Sequence, residues 1–152
     1  MPVDTRTAPY AALLLRLLGI LFLAHAGLKI FVFTPAGTAA FFAFLGLPSF
    51  LGLPAALAYV TILWELLGAV ALVLGIWPRV AALALIPILL GAIATVHGPA
   101  GFFFTNPHGG WEFLALWIVG LLALAPIGDG VWALRPATSR GVVSSTKESF
   151  AR

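Results

Sequence analysis

The chain has 152 residues, of which 62% are hydrophobic and only 9% charged, and its mean hydropathy is +1.11. A soluble domain is nearer half apolar and a quarter charged, so these values exclude one and leave an integral membrane protein. The length allows a single small bundle, and the net charge of +3 sits mostly in the tails, where it sets topology and implies no nucleic-acid partner.

Residues 1–9 form a short polar tail in which Pro9 is placed to start a helix. The first apolar run, Tyr10 to Phe33, is long enough to cross a bilayer, yet it carries Arg16, His25 and Lys29. Ala24-His25-Ala26 resembles a leader cleavage site, but the run continues through Phe33 and is read as a retained helix. Arg16 and Lys29 lie near opposite ends of it, where long stems let both heads snorkel outward. His25 has no such reach; four residues from Lys29, it shares that residue's helix face, while Arg16 points away.

Residues 34–53 are apolar but interrupted by Pro35, Gly37, Gly46, Pro48 and Gly52, so no run there is long enough to span. Phe41, Phe42 and Phe44 suit a short helix in the interface or a re-entrant cap over the bundle. A second helix starts near Pro54 and ends near Gly75, with Glu65 close to its midpoint. Thr61 and Gly68 lie on nearly the same face as Glu65, so that face is expected to pack against another helix.

Gly75-Ile76-Trp77-Pro78-Arg79 reads as a tight turn: glycine stops one helix, proline opens the next and tryptophan sits at headgroup level. The third helix runs from about Arg79 to His97, with a kink or a freed carbonyl expected at Pro87. The loop 98–110 carries a second aromatic triplet and His108. A fourth helix runs from about Trp111 to Ala125, or to Trp132 if Pro126 only kinks it. The expected organisation is a tail at 1–9, a membrane domain at 10–134 and a disordered cytoplasmic tail at 135–152.

The basic residues set orientation. Arg6, Arg16, Arg79, Arg135, Arg140, Lys147 and Arg152 fall on one side of a four-helix arrangement. The positive-inside rule puts that side, with both termini, in the cytoplasm of a bacterial inner membrane.

Helix direction then collects His25, Lys29, His97, His108 and Glu112 in one outer vestibule with Glu65 at its floor. Each has an ordinary reading beside a functional one. Glu65 is either half of a structural ion pair with Arg16 or Lys29, or a proton carrier or ligand. His97 and His108 are loop histidines or site residues; Glu112 is a favourable first-turn acid or a member of the His108-Gly109-Gly110-Trp111-Glu112 cluster. His25, an imidazole in the apolar zone, needs a partner. Glu65, His97 and Glu112 are the candidates for proton chemistry; His25, Lys29, His108 and Arg16 are the candidates for holding a cofactor. His25, His97, His108 and Glu112 are metal-ligand types, but no compact ligand spacing supports a metal, and none is expected. His25 and His97 are also of the type that ligates a bis-histidine haem, although the two lie at different depths along their helices. The absence of cysteine excludes a dithiol cycle or an iron–sulfur cluster held by this chain.

Arg16-Leu-Leu-Gly19, His25-Ala-Gly-Leu-Lys29, Phe41-Phe42 and Gly46-Leu-Pro48 resemble the opening of the DoxX family of small four-helix membrane proteins. The likeness continues through Glu65-Leu-Leu-Gly68, Leu74-Gly75, Arg79 and Ala94-Thr-Val-His97. It closes with Gly110-Trp111-Glu112 and Gly128-Asp129-Gly130, so it covers residues 10–134. The resemblance implies an inner-membrane protein or oxidoreductase subunit, linked through the family's name to quinone-coupled thiosulfate oxidation and in some members to oxidative-stress complexes.

The expected fold is therefore all-α: a four-helix membrane bundle with an interfacial or re-entrant segment between the first two helices. The expected function is a quinone-linked oxidoreductase subunit with a polar pocket open to the outer leaflet, with quinone as cofactor. Its partners would be the bilayer, a soluble redox protein that supplies electrons, and a second copy of the chain. The alternatives are a proton-coupled small-solute transporter or binding protein, and a membrane anchor for a soluble enzyme.

Overall fold

Proline placement explains most of the helix starts. Pro9, Pro35, Pro54 and Pro78 occupy the first or second position of α1 (Ala8–Arg16), α3 (Thr34–Phe44), α4 (Leu53–Leu74) and α5 (Pro78–Ala92). A missing N–H costs nothing there, because the first-turn amides have no partner inside the helix. Between α1 and α3 lies α2 (Leu18–Gly27), and α6 (Glu112–Ile127) completes the set. A computed structural model describes residues 6–46, 48 and 52–135. Of the expected tails at 1–9 and 135–152, residues 1–5 and 136–152 lie outside the described residues, while Ala8 and Pro9 already belong to α1 and Arg135 is bonded to Gly75 and Trp77.

α1, α2 and a π-helical turn at Leu28–Val32 form one apolar rod, Ala8–Val32, of 25 residues. α4 has 22 residues, and α5 with a second π-helical turn at Ile93–His97 has 20, so all three are long and apolar enough to cross a membrane. α6 is equally apolar but has only 16 residues. The first rod packs on α4 and α6, α4 on α5, and α5 on α6, which closes a four-membered ring. Phe22, Leu72, Leu85, Leu121 and Leu124 are fully buried at its centre, while Phe31, Leu67, Leu116 and Val119 point outward. The outward apolar face suits lipid, and the protein is a helical membrane bundle.

Gly68 shows how close the helices come. A Cβ there would stand 2.7 Å from Leu85 Cδ2, so any larger residue would have to displace that buried leucine for α4 and α5 to meet at this level. The expected helix contact on this face is thus made by Gly68, while Thr61 and Glu65 turn toward a cavity.

The interrupted segment after the first rod is a helix folded against α4, because Pro35 and Gly37 fall in the first turn of α3 rather than in its interior. Thr34 makes the corner with φ 62°, a left-handed conformation that strains a β-branched residue. Its hydroxyl oxygen accepts the Gly37 N–H at 3.2 Å, and its carbonyl accepts the Thr38 hydroxyl at 3.1 Å. Pro87 is carried within α5, which continues to Ala92. α6 ends at Ile127, one residue past Pro126 and well short of Trp132.

At the other end of the molecule the chain after α6 closes the bundle. Val131 N–H donates to Pro9 O at 3.1 Å and Leu134 N–H to Leu74 O at 3.2 Å. Trp77 N–H donates to Arg135 O at 2.8 Å, and the Arg135 guanidinium lies 4.8 Å from the centre of the Trp77 ring.

Candidate functional site

Two helices loosen by one residue where they reach the cavity. In the first rod Phe33 N–H bonds back five residues to Leu28 O at 2.8 Å, and after α5 Gly98 N–H bonds to Ile93 O at 2.6 Å. Such π-turns widen the ladder and recur at functional sites. Here one carries Lys29 and the other ends on His97. Both side chains line a cavity of about 1080 Å³ that His25 and Glu65 also enter.

Glu65 is 3% exposed at the middle of α4, and its Oε1 accepts from Lys29 Nζ at 2.5 Å. The Lys29 side chain is 23% exposed, so the pair sits in the cavity wall rather than in the packed core. Of the two partners the ion-pair reading of Glu65 offered, the structure gives Lys29 and not Arg16. Its second oxygen, Oε2, is buried and has no hydrogen-bond partner among the described residues.

The two imidazoles are oriented by carbonyls. His25 Nδ1–H donates to Leu21 O at 2.8 Å, one turn back on α2, and His97 Nδ1–H donates to Gly109 O at 2.7 Å in the loop before α6. A carbonyl only accepts, so each Nδ1 carries the proton and Nε2 of a neutral ring keeps its lone pair.

Aromatic rings build the opposite wall. Trp117 on α6 is 5% exposed and stands 4.4 Å from Phe22, 5.4 Å from His25 and 6.1 Å from Phe113, centroid to centroid. Its Nε1–H is buried with no acceptor among the described residues. Trp64 on α4 borders the cavity with its Nε1–H donated to Ala84 O at 2.8 Å. α3 covers the remaining side with Thr38, Phe41 and Phe42. Neither tryptophan was singled out from sequence; an indole in an apolar helix gives no signal that separates a cavity wall from a lipid anchor.

The other three candidates stand elsewhere. Arg16 is 2% exposed at the far end of the first rod and does not snorkel. Its guanidinium donates to Leu72 O at 3.0 Å, Val73 O at 2.7 Å, Val131 O at 2.9 Å and Asp129 O at 3.3 Å. It thus satisfies carbonyls at the end of α4 and ties them to the chain after α6. His108 is exposed in a loop with φ 70° and does not line the cavity. Glu112 is also exposed and outside the lining; its Oε2 accepts the Phe104 N–H at 3.1 Å, which fixes the loop onto the start of α6. Of the seven candidates, the structure gathers His25, Lys29, Glu65 and His97 and separates Arg16, His108 and Glu112 from them. No set of three histidine, aspartate or glutamate side chains placed to hold a metal occurs among the described residues.

Fold and site together define a small helical membrane bundle around an apolar cavity with a few ionisable groups. A model of the DoxX family matches residues 11–98, more than half of the chain, so the chain belongs to that family. The matched region contains His25, Lys29, Glu65 and His97 and ends before Glu112 and Trp117. A relative from Bacillus subtilis (strain 168), named "Putative oxidoreductase CatD", is 37% identical over 130 residues, covering 85% of this chain and 87% of that protein. No solved structure matches.

Proposed function

We propose that the chain is the membrane-embedded, quinone-linked subunit of an oxidoreductase in a bacterial inner membrane. It crosses the bilayer several times with both termini in the cytoplasm, and the cavity opens toward the outer leaflet. One observation carries this reading: four ionisable side chains from three separate segments share an aromatic-walled cavity of about 1080 Å³. That volume is ample for a substituted ring, since small-molecule sites run from roughly 300 to 1,000 Å³. The relative's name adds the redox class.

The residues present fit a quinone ring. Trp117 and Phe113 offer flat apolar contact, and the Lys29 ammonium and the Trp117 N–H are donors for ring oxygens. Glu65 and His97 are placed to exchange protons with a ligand in the cavity. A quinone supplies two-electron chemistry coupled to two protons. The chain contains no cysteine, so no thiol of its own supplies the electrons. They come from a soluble redox partner or a second bound cofactor.

The test is native mass spectrometry and an ultraviolet–visible spectrum on gently purified protein, followed by solvent extraction and a quinone-binding titration. A quinone or its reduced form recovered at close to one per chain, with binding of the reduced ring lost in a Glu65→Gln/His97→Ala protein, is the expected result. An empty protein that binds no added quinone overturns the reading and leaves a solute-binding or anchoring role.

A further inference from the structure

Several residues that line the cavity carry hydrogen-bonding groups without a protein partner among the described residues, and their donor and acceptor character bears on the redox form of such a ring. Three of them can accept: Glu65 Oε2, which is buried without a partner among the described residues, and Nε2 of His25 and of His97, each an acceptor whenever its Nδ1 alone carries the ring proton. Two side chains donate: Trp117 through Nε1–H, also buried and unpartnered among those residues, and Lys29 through the ammonium hydrogens not committed to Glu65.

An oxidised quinone presents carbonyl oxygens and therefore only accepts. Bound here it could satisfy Trp117 and Lys29, but it would leave Glu65 Oε2, already shielded from water, with nothing to accept from. A buried acceptor left unpaired costs its full desolvation, more so for a charged group. The reduced ring carries two hydroxyls, each a donor and an acceptor. One hydroxyl hydrogen meets Glu65 Oε2, the other an imidazole Nε2, and the oxygens still accept from Trp117 and Lys29. Both unpartnered buried atoms are then satisfied by one ligand.

We infer that the cavity selects an aromatic ring bearing two hydroxyls, the quinol, over the corresponding quinone. This rests on the quinone reading above and adds the redox form held at rest. Preference for the reduced ring raises the midpoint potential of the bound pair by about 30 mV for each tenfold in affinity.

The test compares 2,3-dimethoxy-5-methyl-6-decyl-1,4-benzoquinone with its reduced hydroquinone by anaerobic titration calorimetry. The protein is held in nanodiscs, with empty nanodiscs as the blank. The hydroquinone should bind about tenfold tighter or more, the yield of one charge-assisted hydrogen bond. In Glu65→Gln, whose amide also offers a donor to a carbonyl oxygen, the preference should fall toward parity. Trp117→Phe removes a donor that both forms use, so it should weaken both and leave their ratio unchanged. It therefore serves as the second variant should the Lys29 partner be needed for folding. Unsubstituted hydroquinone separates the sources: comparable binding points to a water-soluble diol, and loss of binding to the membrane pool. Equal affinity of the two forms in the unaltered protein, or a preference for the quinone, overturns the inference while the quinone reading stands. Failure of both forms to bind overturns both.

Discussion

Lys29 and Glu65 meet at 2.5 Å although 36 residues apart in the chain, and each offsets the cost of the other's charge inside an apolar bundle. Removing one partner leaves the other uncompensated, whereas replacing both with apolar residues of similar size removes the problem. Lys29→Ala or Glu65→Ala should therefore lower stability by about 3 kcal/mol, and Lys29→Met/Glu65→Leu should recover most of the loss. The double variant should still lose quinone binding. Thermal unfolding of the detergent-solubilised variants checks the first part, and the same calorimetric titration checks the second. At this scale the sequence was informative where charge is rare: His25, Lys29, Glu65 and His97 stood out because each interrupts an apolar run. Trp117 did not, since aromatic residues are common in such runs and only the fold shows its N–H without an acceptor. His108 and Glu112 lie near the right end of the bundle, but side-chain direction around a loop glycine pair is not readable from spacing. Arg16 looked able to snorkel; the carbonyls at the end of α4, contributed by a distant segment, hold it inside instead.

Between residue and bundle, the end of α4 depends on a latch of two parts. Gly75 ends the helix with φ 71°, and a Cβ there would stand 2.6 Å from Arg16 Nη2 and from Ala133 Cα. Gly75→Ala thus combines left-handed strain, about 1–2 kcal/mol, with displacement of the guanidinium from its carbonyls. The unfolding temperature should drop clearly. Gly27→Ala is the control: it is helical, nothing lies within 4 Å of the added Cβ, and it should be neutral or slightly stabilising. An unchanged Gly75→Ala protein would show that Arg16 can repack and that the latch matters little. The helix stop at Gly75 was legible from the Gly-Ile-Trp-Pro pattern, as were the starts at Pro54 and Pro78. The π-turns were not, because one extra residue in a hydrogen-bond ladder leaves no compositional trace. α3 was half legible: its short length and aromatic face were plain, but Pro35 and Gly37 looked like breaks until Thr34 was seen to turn the corner ahead of them.

For the whole molecule, the question is whether the proposed membrane crossings hold despite the length of α6. At 1.5 Å per residue its 16 residues reach roughly 24 Å, short of a hydrocarbon core of about 30 Å. Yet the chain on leaving α6 hydrogen-bonds to Pro9 and Leu74, so it has returned to the end where the first rod begins and α4 stops. The loop 98–111 starts at the opposite end of the 20-residue span Pro78–His97, roughly 30 Å away. α6 therefore bridges the two ends of the bundle, and the proposed crossing requires local thinning of the bilayer or polar flanks reaching inward to absorb the mismatch. The lack of cysteine makes the test clean, since each introduced thiol is a lone probe. A membrane-impermeant maleimide applied to intact spheroplasts should label Thr105→Cys, in the exposed aromatic loop, and should leave Leu134→Cys unlabelled until the membrane is permeabilised. Both positions are exposed, so burial does not explain a negative. The reverse pattern would invert the orientation inferred from the arginines and turn the cavity mouth toward the cytoplasm. Labelling of both from outside would mean that α6 does not cross, and the Pro9–Val131 contact would then be absent in the bilayer.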